Sequence, residues 1–276
     1  MVRMVVNIAG YRFVNLPDRD GLREPMLDVC LEAELKGTVL LSPNGINFFL
    51  AGTEEATNSF LSHLESDERL AGIPVKLSHT VYQPFRRMLV KMKKEIISLG
   101  MDDIRPAEFT APHISPNEFK QMLDGGEDIV VLDARNDYET RVGMFDGAVD
   151  LDIASFRDFP GAIESLPDEY QSKTVVMYCT GGIRCEKASA VMLKAGFEDV
   201  RQLEGGILGY FEECGGTHWS GDCFVFDQRV ALDHQLEETE VVMCFRCREP
   251  LSSEEQLSEL YVINQHCPYC VTDESL

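Results

Sequence analysis

Apolar residues in the first hundred positions fall into short strand-like runs and longer segments with helical spacing. The strand-like runs are Val2–Ala9, Gly37–Leu41, Ile46–Ala51 and Val75–Leu77, and the helical segments are Leu22–Lys36 and Thr53–Leu64. The order β-α-β-β-α-β predicts a ferredoxin-like α+β domain over residues 1–97. Pro43-Asn44-Gly45 separates the middle strands, and we expect Asn-Gly to supply the positive φ angles of a tight hairpin.

The pattern changes after residue 113. Ser115-Pro-Asn-Glu118 has the N-cap, proline and glutamate that begin a helix, and Asp124-Gly-Gly126 should end it. Strands then alternate with helical segments: strands at Ile129–Asp133, Thr174–Tyr178 and Val200–Leu203, helical segments at Ser155–Ser165, Arg184–Lys194 and Ile207–Cys214. This alternation predicts an α/β domain over 114–220, with a doubly wound parallel sheet covered by helices on both faces.

Charge is shared unevenly along the chain, whose net charge is −22. Residues 1–100 contain 12 Lys/Arg and 12 Asp/Glu, whereas residues 101–276 contain 13 and 35. The shift indicates a boundary near residue 100, and the two prolines of Met101–Pro112 predict a linker over 98–113. So acidic a chain argues against a protein that coats nucleic acid through general positive charge.

The apolar runs are far shorter than the roughly 18 residues that a membrane span requires. The N-terminal segment also lacks the apolar region and cleavage site of a signal peptide. The nine cysteines include two C-x-x-C pairs, which fits thiol and metal chemistry in a reducing compartment better than a disulfide framework. We therefore expect a cytoplasmic protein without a membrane partner.

A basic cluster stands out against the acidic chain. Five basic residues and no acidic one occur between Pro84 and Lys94, close to Tyr82 and Phe85; they are Arg86, Arg87, Lys91, Lys93 and Lys94. Charge runs are usually solvated surface, so an exposed strand face is one interpretation. The other is a surface that binds RNA phosphates, which would make residues 1–97 an RNA-binding domain.

The most informative segment follows the second buried strand of the parallel sheet. Cys179 ends the strand, the loop Thr180-Gly181-Gly182-Ile183 follows, and Arg184 begins the next helix. Glycines let successive N–H groups turn inward, which forms an anion-binding site at the positive end of a helix. Such a site lowers a cysteine pKa from about 8.5. The loop therefore predicts a nucleophilic Cys179 thiolate, with a buried structural cysteine as the alternative.

The length of this loop distinguishes two chemistries. Four residues separate Cys179 from Arg184, which is short for a loop that surrounds a tetrahedral phosphate. A loop of this size suits a single sulfur atom, carried on the cysteine as a persulfide. Cys185, one residue further on, is a candidate second thiol, although a small helix residue facing the sheet is an equal interpretation.

Three charged residues follow the first buried strand on the side where open α/β sheets bind ligands; they are Asp133, Arg135 and Glu139. Arg135 could pair with a carboxylate and brace the cysteine loop. The alternative is a fixed structural salt bridge, which an Asp-x-Arg sequence near a strand end often forms.

The C-terminal segment, residues 221–276, carries the two cysteine pairs. Cys244-Phe-Arg-Cys247 and Cys267-Pro-Tyr-Cys270 are separated by 19 residues. Four thiolates in this spacing are the tetrahedral ligand set of structural zinc, and the metal would stabilise a segment that has few large apolar residues. Redox-active dithiols and free thiols are the alternatives.

Several motifs resemble known families. The rhodanese-like ones are Cys179-x4-Arg184, Leu132-Asp-Ala-Arg135-x3-Glu139, Gly143-x-Phe-Asp-Gly147-Ala148 and Leu203-Glu-Gly205-Gly206, and they cover residues 114–214. Met177–Ser189 and Cys223-Phe-Val-Phe-Asp227 narrow the resemblance to the rhodanese-domain tRNA uridine hydroxylases.

That resemblance implies oxygen-dependent hydroxylation of C5 of the wobble uridine of tRNA, which gives 5-hydroxyuridine. It implies tRNA as partner, molecular oxygen as co-substrate and Cys179 as the catalytic residue, with Arg184 and the loop amides stabilising its anion. The chain shows no flavin, haem, nicotinamide or facial-triad iron signature, and it does not identify a sulfur or electron donor. Two alternatives are a sulfurtransferase that works through a persulfide of the same cysteine, and a non-catalytic RNA-binding module.

Overall fold

The computed structural model describes residues 4–271. The chain forms two compact units, one up to Thr110 and the other from Ala111 onwards. None of the helices in the described range has the length and apolar character needed to cross a membrane.

The first unit is a ferredoxin-like fold with one added strand. Its described elements are β1 (Val5–Phe13), α1 (Arg19–Glu32), β2 (Lys36–Ser42), β3 (Gly45–Gly52), α2 (Glu54–Glu65), β4 (Val75–Thr80) and β5 (Met88–Met92). The sheet order is β4-β1-β3-β2-β5, and only the β2–β5 pair within it is parallel. Met26 of α1 and Phe60 of α2 pack on Phe48 of the sheet in one apolar core, as the sequence pattern predicts.

The hairpin between β2 and β3 differs from the prediction in one detail. Ser42 pairs with Gly45, so Pro43 and Asn44 form the turn, and the positive φ falls on Gly45 (144°) alone. A Cβ at Gly45 would lie 2.1 Å from the carbonyl oxygen of Arg12 on β1. The glycine is therefore required by the close approach of a neighbouring strand as well as by its φ angle.

Strand β5 adds a fifth strand to the predicted order β-α-β-β-α-β, and it contains part of the basic cluster, for which an exposed strand face was one interpretation. It pairs with β2 at the edge of the sheet, with Leu89 opposite Thr38. Val90 is buried in the core, while Lys91 is exposed. Val90 and Lys91 therefore differ in exposure on an edge strand, and the other four basic residues flank that strand.

Most residues of the segment 98–113, which was expected to be a linker, are exposed, but a few apolar side chains within it are buried. Leu99 and Ile104 are each 2% exposed, and Ala111 is 1% exposed. The backbone N–H of Ala111 also donates to Ser189 Oγ at 3.2 Å, within the second unit. The segment is therefore largely exposed to solvent but is anchored at these buried positions.

The second unit has an α/β core. Its described strands and helices up to Cys214 are β6 (His113–Ile114), α3 (Pro116–Asp124), β7 (Val130–Asp133), α4 (Asp137–Thr140), β8 (Gly143–Phe145), α5 (Phe159–Ala162), β9 (Thr174–Tyr178), α6 (Ile183–Lys194), β10 (Asp199–Leu203) and α7 (Gly206–Cys214). Three 3-10 helices lie at Phe156–Asp158, Ile163–Ser165 and Asp168–Ser172.

Strands β6, β10, β9 and β7 form a parallel sheet in that order. All residues of Val175–Tyr178 on β9 are fully buried, so this strand is covered on both faces, as predicted. Helix α3 begins with the predicted capping box, in which Ser115 Oγ accepts from the Glu118 N–H. Helix α6 begins at Ile183, one residue before the predicted Arg184.

The chain after residue 220 belongs to the second compact unit and does not form a unit of its own. The remaining described elements are β11 (Trp219–Gly221), β12 (Cys223–Phe224), β13 (Ala231–Leu232), β14 (Val242–Met243), β15 (Pro250–Leu251) and α8 (Ser253–Gln256). Strand β11 pairs with β8, β12 with β13, and β14 with β15. Cys223 is fully buried in the same apolar core as Phe145 and Tyr178. The α/β core therefore extends beyond the expected boundary at residue 220.

Candidate active site

The Cys179 loop connects the end of β9 to the start of α6. Gly182 precedes the helix with a φ of 96°, a conformation that glycine adopts without strain. The Gly182 N–H donates to Cys179 Sγ at 3.2 Å, and the backbone N–H groups of Arg184 and Cys185 also donate to this sulfur. The loop and the first helical turn thus form the predicted anion-binding site around the thiol.

The surroundings of Cys179 favour its thiolate. Burial raises its pKa, but the hydrogen bond from the Cys185 thiol, the charge of Arg184 and the backbone N–H groups of both residues lower the pKa from 9.0 to about 6. Burial and the hydrogen bond to Cys179 raise the pKa of Cys185 well above its ordinary value. At neutral pH the pair is therefore a Cys179 thiolate beside a Cys185 thiol, which places the candidate second thiol in direct contact with the first.

The side chain of Arg184 is held by a carboxylate. Its Nη1 and Nη2 donate to Glu139 Oε2 and Oε1 at 2.5 and 2.7 Å, and Nη2 also donates to Thr180 Oγ1 at 3.3 Å. Arg184 is 4% exposed and Glu139 is fully buried. Arg184 therefore lowers the pKa of Cys179 through its backbone N–H and its positive charge. Its guanidinium connects the loop to α4 through Glu139.

Arg135 forms the structural salt bridge with Asp133, and its Nη1 also donates to the carbonyl oxygen of Glu139 at 3.4 Å. Its Nε and Nη2 donate to Asp133 at 2.9 and 2.6 Å, and Nη2 donates to the Gly143 carbonyl oxygen at 2.6 Å. Both charged side chains are fully buried. This pair holds the end of β7 against β8, and of the three charged residues predicted here Glu139 is the one that contacts the cysteine loop.

The start of α7 completes the support of the loop. The N–H groups of Ile207 and Leu208 donate to the carbonyl oxygens of Cys179 and Thr180 at 3.0 and 3.1 Å. Gly206 has a φ of 60°, and a Cβ there would lie 2.3 Å from the Cys179 carbonyl oxygen. The sequence motifs do not predict this support, although the double glycine of Leu203-Glu-Gly205-Gly206 at a helix start is a signal for such a close approach.

Residues after β12 also lie at the loop, which the sequence did not predict. Thr180 Oγ1 donates to the carbonyl oxygen of Phe224 at 3.5 Å. The Arg184 guanidinium carbon lies 5.8 Å from the centre of the Phe226 ring, and Phe226 is 56% exposed. An exposed aromatic ring is therefore part of the surroundings of Cys179.

The four cysteines of the C-terminal pairs meet in one cluster. The sulfur atoms of Cys244, Cys247, Cys267 and Cys270 all lie within 4.8 Å of one another. Cys244–Cys270, Cys247–Cys267 and Cys267–Cys270 are separated by 3.9, 3.5 and 3.8 Å. Zn–S bonds of about 2.3 Å in a tetrahedron place the sulfurs about 3.8 Å apart. These residues therefore fit a metal such as zinc.

The basic cluster lies on and beside β5 of the first unit. Lys91 belongs to the strand, and the other four residues flank it. All five side chains are exposed, so a polyanion can reach their charges.

Each of the two units matches a known domain family. Residues 5–96 match the UPF0176 acylphosphatase like domain family, and residues 115–213 match the Rhodanese-like domain family. A solved rhodanese-like domain from Anabaena sp covers 41% of this chain and 80% of its own, at 24% identity and a TM-score of 0.33. The family matches and the cysteine loop define a rhodanese-like protein with an additional N-terminal domain.

Relatives extend the match to almost the whole chain. A protein of Cupriavidus necator is 51% identical over 97% of this chain and 96% of its own length. A protein of Ralstonia nicotianae is 48% identical over 98% of both chains. Both carry the name tRNA uridine(34) hydroxylase. The chain belongs to the tRNA uridine(34) hydroxylase family.

Proposed function

We propose that this protein is an oxidoreductase that hydroxylates C5 of the wobble uridine of tRNA, with Cys179 as its nucleophile. Membership in the tRNA uridine(34) hydroxylase family supports the reaction. The single structural observation that carries the proposal is the position of Cys179 at the start of α6, where the Gly182 N–H donates to its sulfur at 3.2 Å and the surroundings lower its pKa. The proposed substrate also places the protein in the cytoplasm, where tRNA is found.

In the proposed reaction the Cys179 thiolate is the nucleophile. Addition of the Cys179 sulfur to C6 of uracil moves an electron pair to C5, which becomes the nucleophilic carbon. After an oxygen atom has bonded to C5, loss of the C5 proton and of the Cys179 sulfur restores the aromatic ring. The loop N–H groups then stabilise the departing thiolate, as they stabilise it before the reaction.

The oxygen atom would come from dioxygen, as in a monooxygenase. One atom enters the C5 hydroxyl group and the other leaves as water. The balance requires two electrons and two protons, which we assign to a thiol reductant that is oxidised to its disulfide. In this scheme the chain supplies the nucleophile and positions the base.

The test is nucleoside mass spectrometry of tRNA incubated with a thiol reductant under isotopically labelled dioxygen. Wild type and Cys214→Ser should give labelled 5-hydroxyuridine, whereas Cys179→Ser should give none. Cys214 is the matched control because it is a partly exposed thiol at the end of α7, outside the loop. Unlabelled 5-hydroxyuridine would show that its oxygen atom does not come from dioxygen. A uridine that gains sulfur would favour the sulfurtransferase, and bound but unmodified tRNA would favour a binding module.

Two further proposals concern the C-terminal cysteines and the basic cluster of the first unit. We propose that zinc occupies the cluster of Cys244, Cys247, Cys267 and Cys270, and that it is structural because four thiolates leave no position for a substrate. We also propose that the basic cluster beside β5 binds tRNA phosphates, because its five exposed charges lie in a chain whose net charge is −22.

A further inference from the structure

An exposed aromatic ring lies beside the Cys179 loop on a short, well-anchored hairpin. Strands β12 and β13 pair, and the six residues between them, 225–230, form the turn that carries Phe226. The Val225 N–H donates to the Val230 carbonyl oxygen at 2.8 Å, which closes the turn.

An ion pair stabilises the same turn. Asp227 and Arg229 are 2.5 Å apart, and both side chains are about 10% exposed. The turn therefore holds Phe226 in place before any ligand binds.

The hairpin is attached directly to the cysteine loop. Phe224 is 2% exposed and accepts a hydrogen bond from Thr180 Oγ1 through its carbonyl oxygen, at 3.5 Å. The Phe224 ring packs edge-to-face on Phe226, with centroids 5.1 Å apart, and on Tyr138, at 5.4 Å. Phe226 is thus fixed relative to Cys179 by contacts on two sides.

One face of the Phe226 ring is directed towards Arg184. The guanidinium carbon lies 5.8 Å from the ring centre, and Glu139 fixes that guanidinium. More than half of Phe226 (56%) is nevertheless exposed, although a large apolar ring gains free energy from burial. An exposed ring held in a rigid turn has the properties of a binding surface for a flat group, because little conformational entropy is lost when that group binds.

We infer that Phe226 is the residue on which the pyrimidine base of the substrate stacks while Cys179 acts on it. The inference rests on the proposed function. Every nucleobase has a flat face, and stacking on an aromatic side chain is a common way in which proteins hold a single-stranded base. The base would stack on the exposed part of the Phe226 ring, beside the loop that carries Cys179. Phe226 is therefore a substrate-positioning residue.

The stacking assignment predicts a specific pattern of variants. Phe226→Leu keeps an apolar side chain but removes the flat ring, and hydroxylation at subsaturating tRNA should fall about tenfold or more. Phe226→Trp keeps a ring, and its rate should stay within about threefold of wild type. The tRNA Kd should change little in both variants, because phosphate contacts dominate overall affinity. A lower rate at unchanged affinity separates base positioning from general RNA binding.

Two controls make the result decisive. Phe245→Leu is the matched control, because Phe245 is 62% exposed and lies 5.7 Å from the guanidinium carbon of Arg248. The pH dependence of Cys179 alkylation should be the same in Phe226→Leu and wild type, which shows that the loop is intact. Equal rates for Phe226→Leu and wild type would overturn the inference, and so would equal decreases in Phe226→Leu and Phe245→Leu. If wild type itself forms no hydroxyuridine, the proposed function fails and this inference fails with it.

Discussion

Both terminal nitrogens of Arg184 donate to the carboxylate of Glu139, so the guanidinium of the cysteine loop is held in an ion pair by a residue of α4. The pair is buried on both sides, with side chains 5% and 0% exposed. It fixes the first turn of α6, and through that turn the N–H groups that face Cys179. The reactivity of the cysteine thus depends on a carboxylate that does not touch it.

Removing the charge of Glu139 should destabilise the protein strongly. Glu139→Gln leaves the buried Arg184 charge without its counterion, which typically costs about 3–5 kcal/mol of the free energy of unfolding. Glu249→Gln is the matched control, because the Arg141–Glu249 pair is 39% and 30% exposed and such pairs contribute about 0–1 kcal/mol. Denaturant unfolding measures both. Equal decreases in stability would show that the buried pair has no special role.

The reactivity of Cys179 should reach its plateau at unusually low pH. Its pKa is lowered from 9.0 to about 6, so the reactive thiolate is lost only as the pH falls through about 6. Cys214 is an internal control, because burial raises its pKa above 9.0 and its alkylation should still be increasing at pH 8. Peptide mass spectrometry after brief treatment with iodoacetamide measures both. A Cys179 profile that rises together with that of Cys214 would contradict the assignment of a thiolate.

Gly206 should not tolerate a side chain. In Gly206→Ala the Cβ would lie 2.3 Å from the Cys179 carbonyl oxygen, and the φ of 60° adds a cost of about 1–2 kcal/mol. Thermal unfolding should show a destabilisation at least that large, together with an altered pH profile of Cys179. Gly161→Ala, where a Cβ meets nothing within 4 Å, should change stability by less than about 0.5 kcal/mol. If Gly206→Ala has normal stability and a normal pH profile of Cys179 alkylation, this close approach does not support the loop.

The four-cysteine cluster should hold about one zinc ion per chain. Cys244→Ser should lose most of it, because one tetrahedral ligand is removed, and residues 240–271 should become sensitive to protease. Cys214→Ser, which lies outside the cluster, should keep the metal. Elemental analysis with limited proteolysis measures both properties. A metal-free protein whose C-terminal segment resists protease would exclude a structural zinc ion.

Neutralising the basic cluster should weaken tRNA binding without unfolding the chain. Alanine at the five positions removes positive charges that neutralise phosphates, so affinity should fall about tenfold or more. The slope of its salt dependence should decrease by about one unit for each phosphate that is no longer neutralised. The control is Lys120→Ala with Lys173→Ala, because these two lysines pair with Asp124 and Asp128. Filter binding at several salt concentrations gives both quantities. Unchanged affinity at moderate salt would leave the cluster as ordinary solvated surface.

Features encoded by neighbouring residues could be predicted from the sequence. The order of elements in the first unit follows from local periodicity, and the capping box at Ser115 follows from four adjacent residues. The anion-binding loop follows from the glycines between Cys179 and Arg184. In each case the residues that determine the structure lie within one turn or one strand of each other.

Features that depend on distant partners could not be predicted. Arg184 is positioned by Glu139, 45 residues earlier, and the spacing within the loop contains no information on that contact. Strand β5 is a run of only five residues, and its partner β2 lies far before it in the chain. The packing of Leu99 and Ile104 likewise depends on tertiary contacts that a proline-containing segment without a clear period does not reveal.

The position of β5 at the end of its sheet has a consequence for self-association. An edge strand presents unpaired N–H and C=O groups to which a strand of another molecule can add. Lysine and arginine side chains along such an edge oppose this addition, because two copies would bring like charges together. Lys91 on β5 and the four basic residues that flank the strand therefore oppose such addition, and their replacement by alanine should favour aggregation of the free protein.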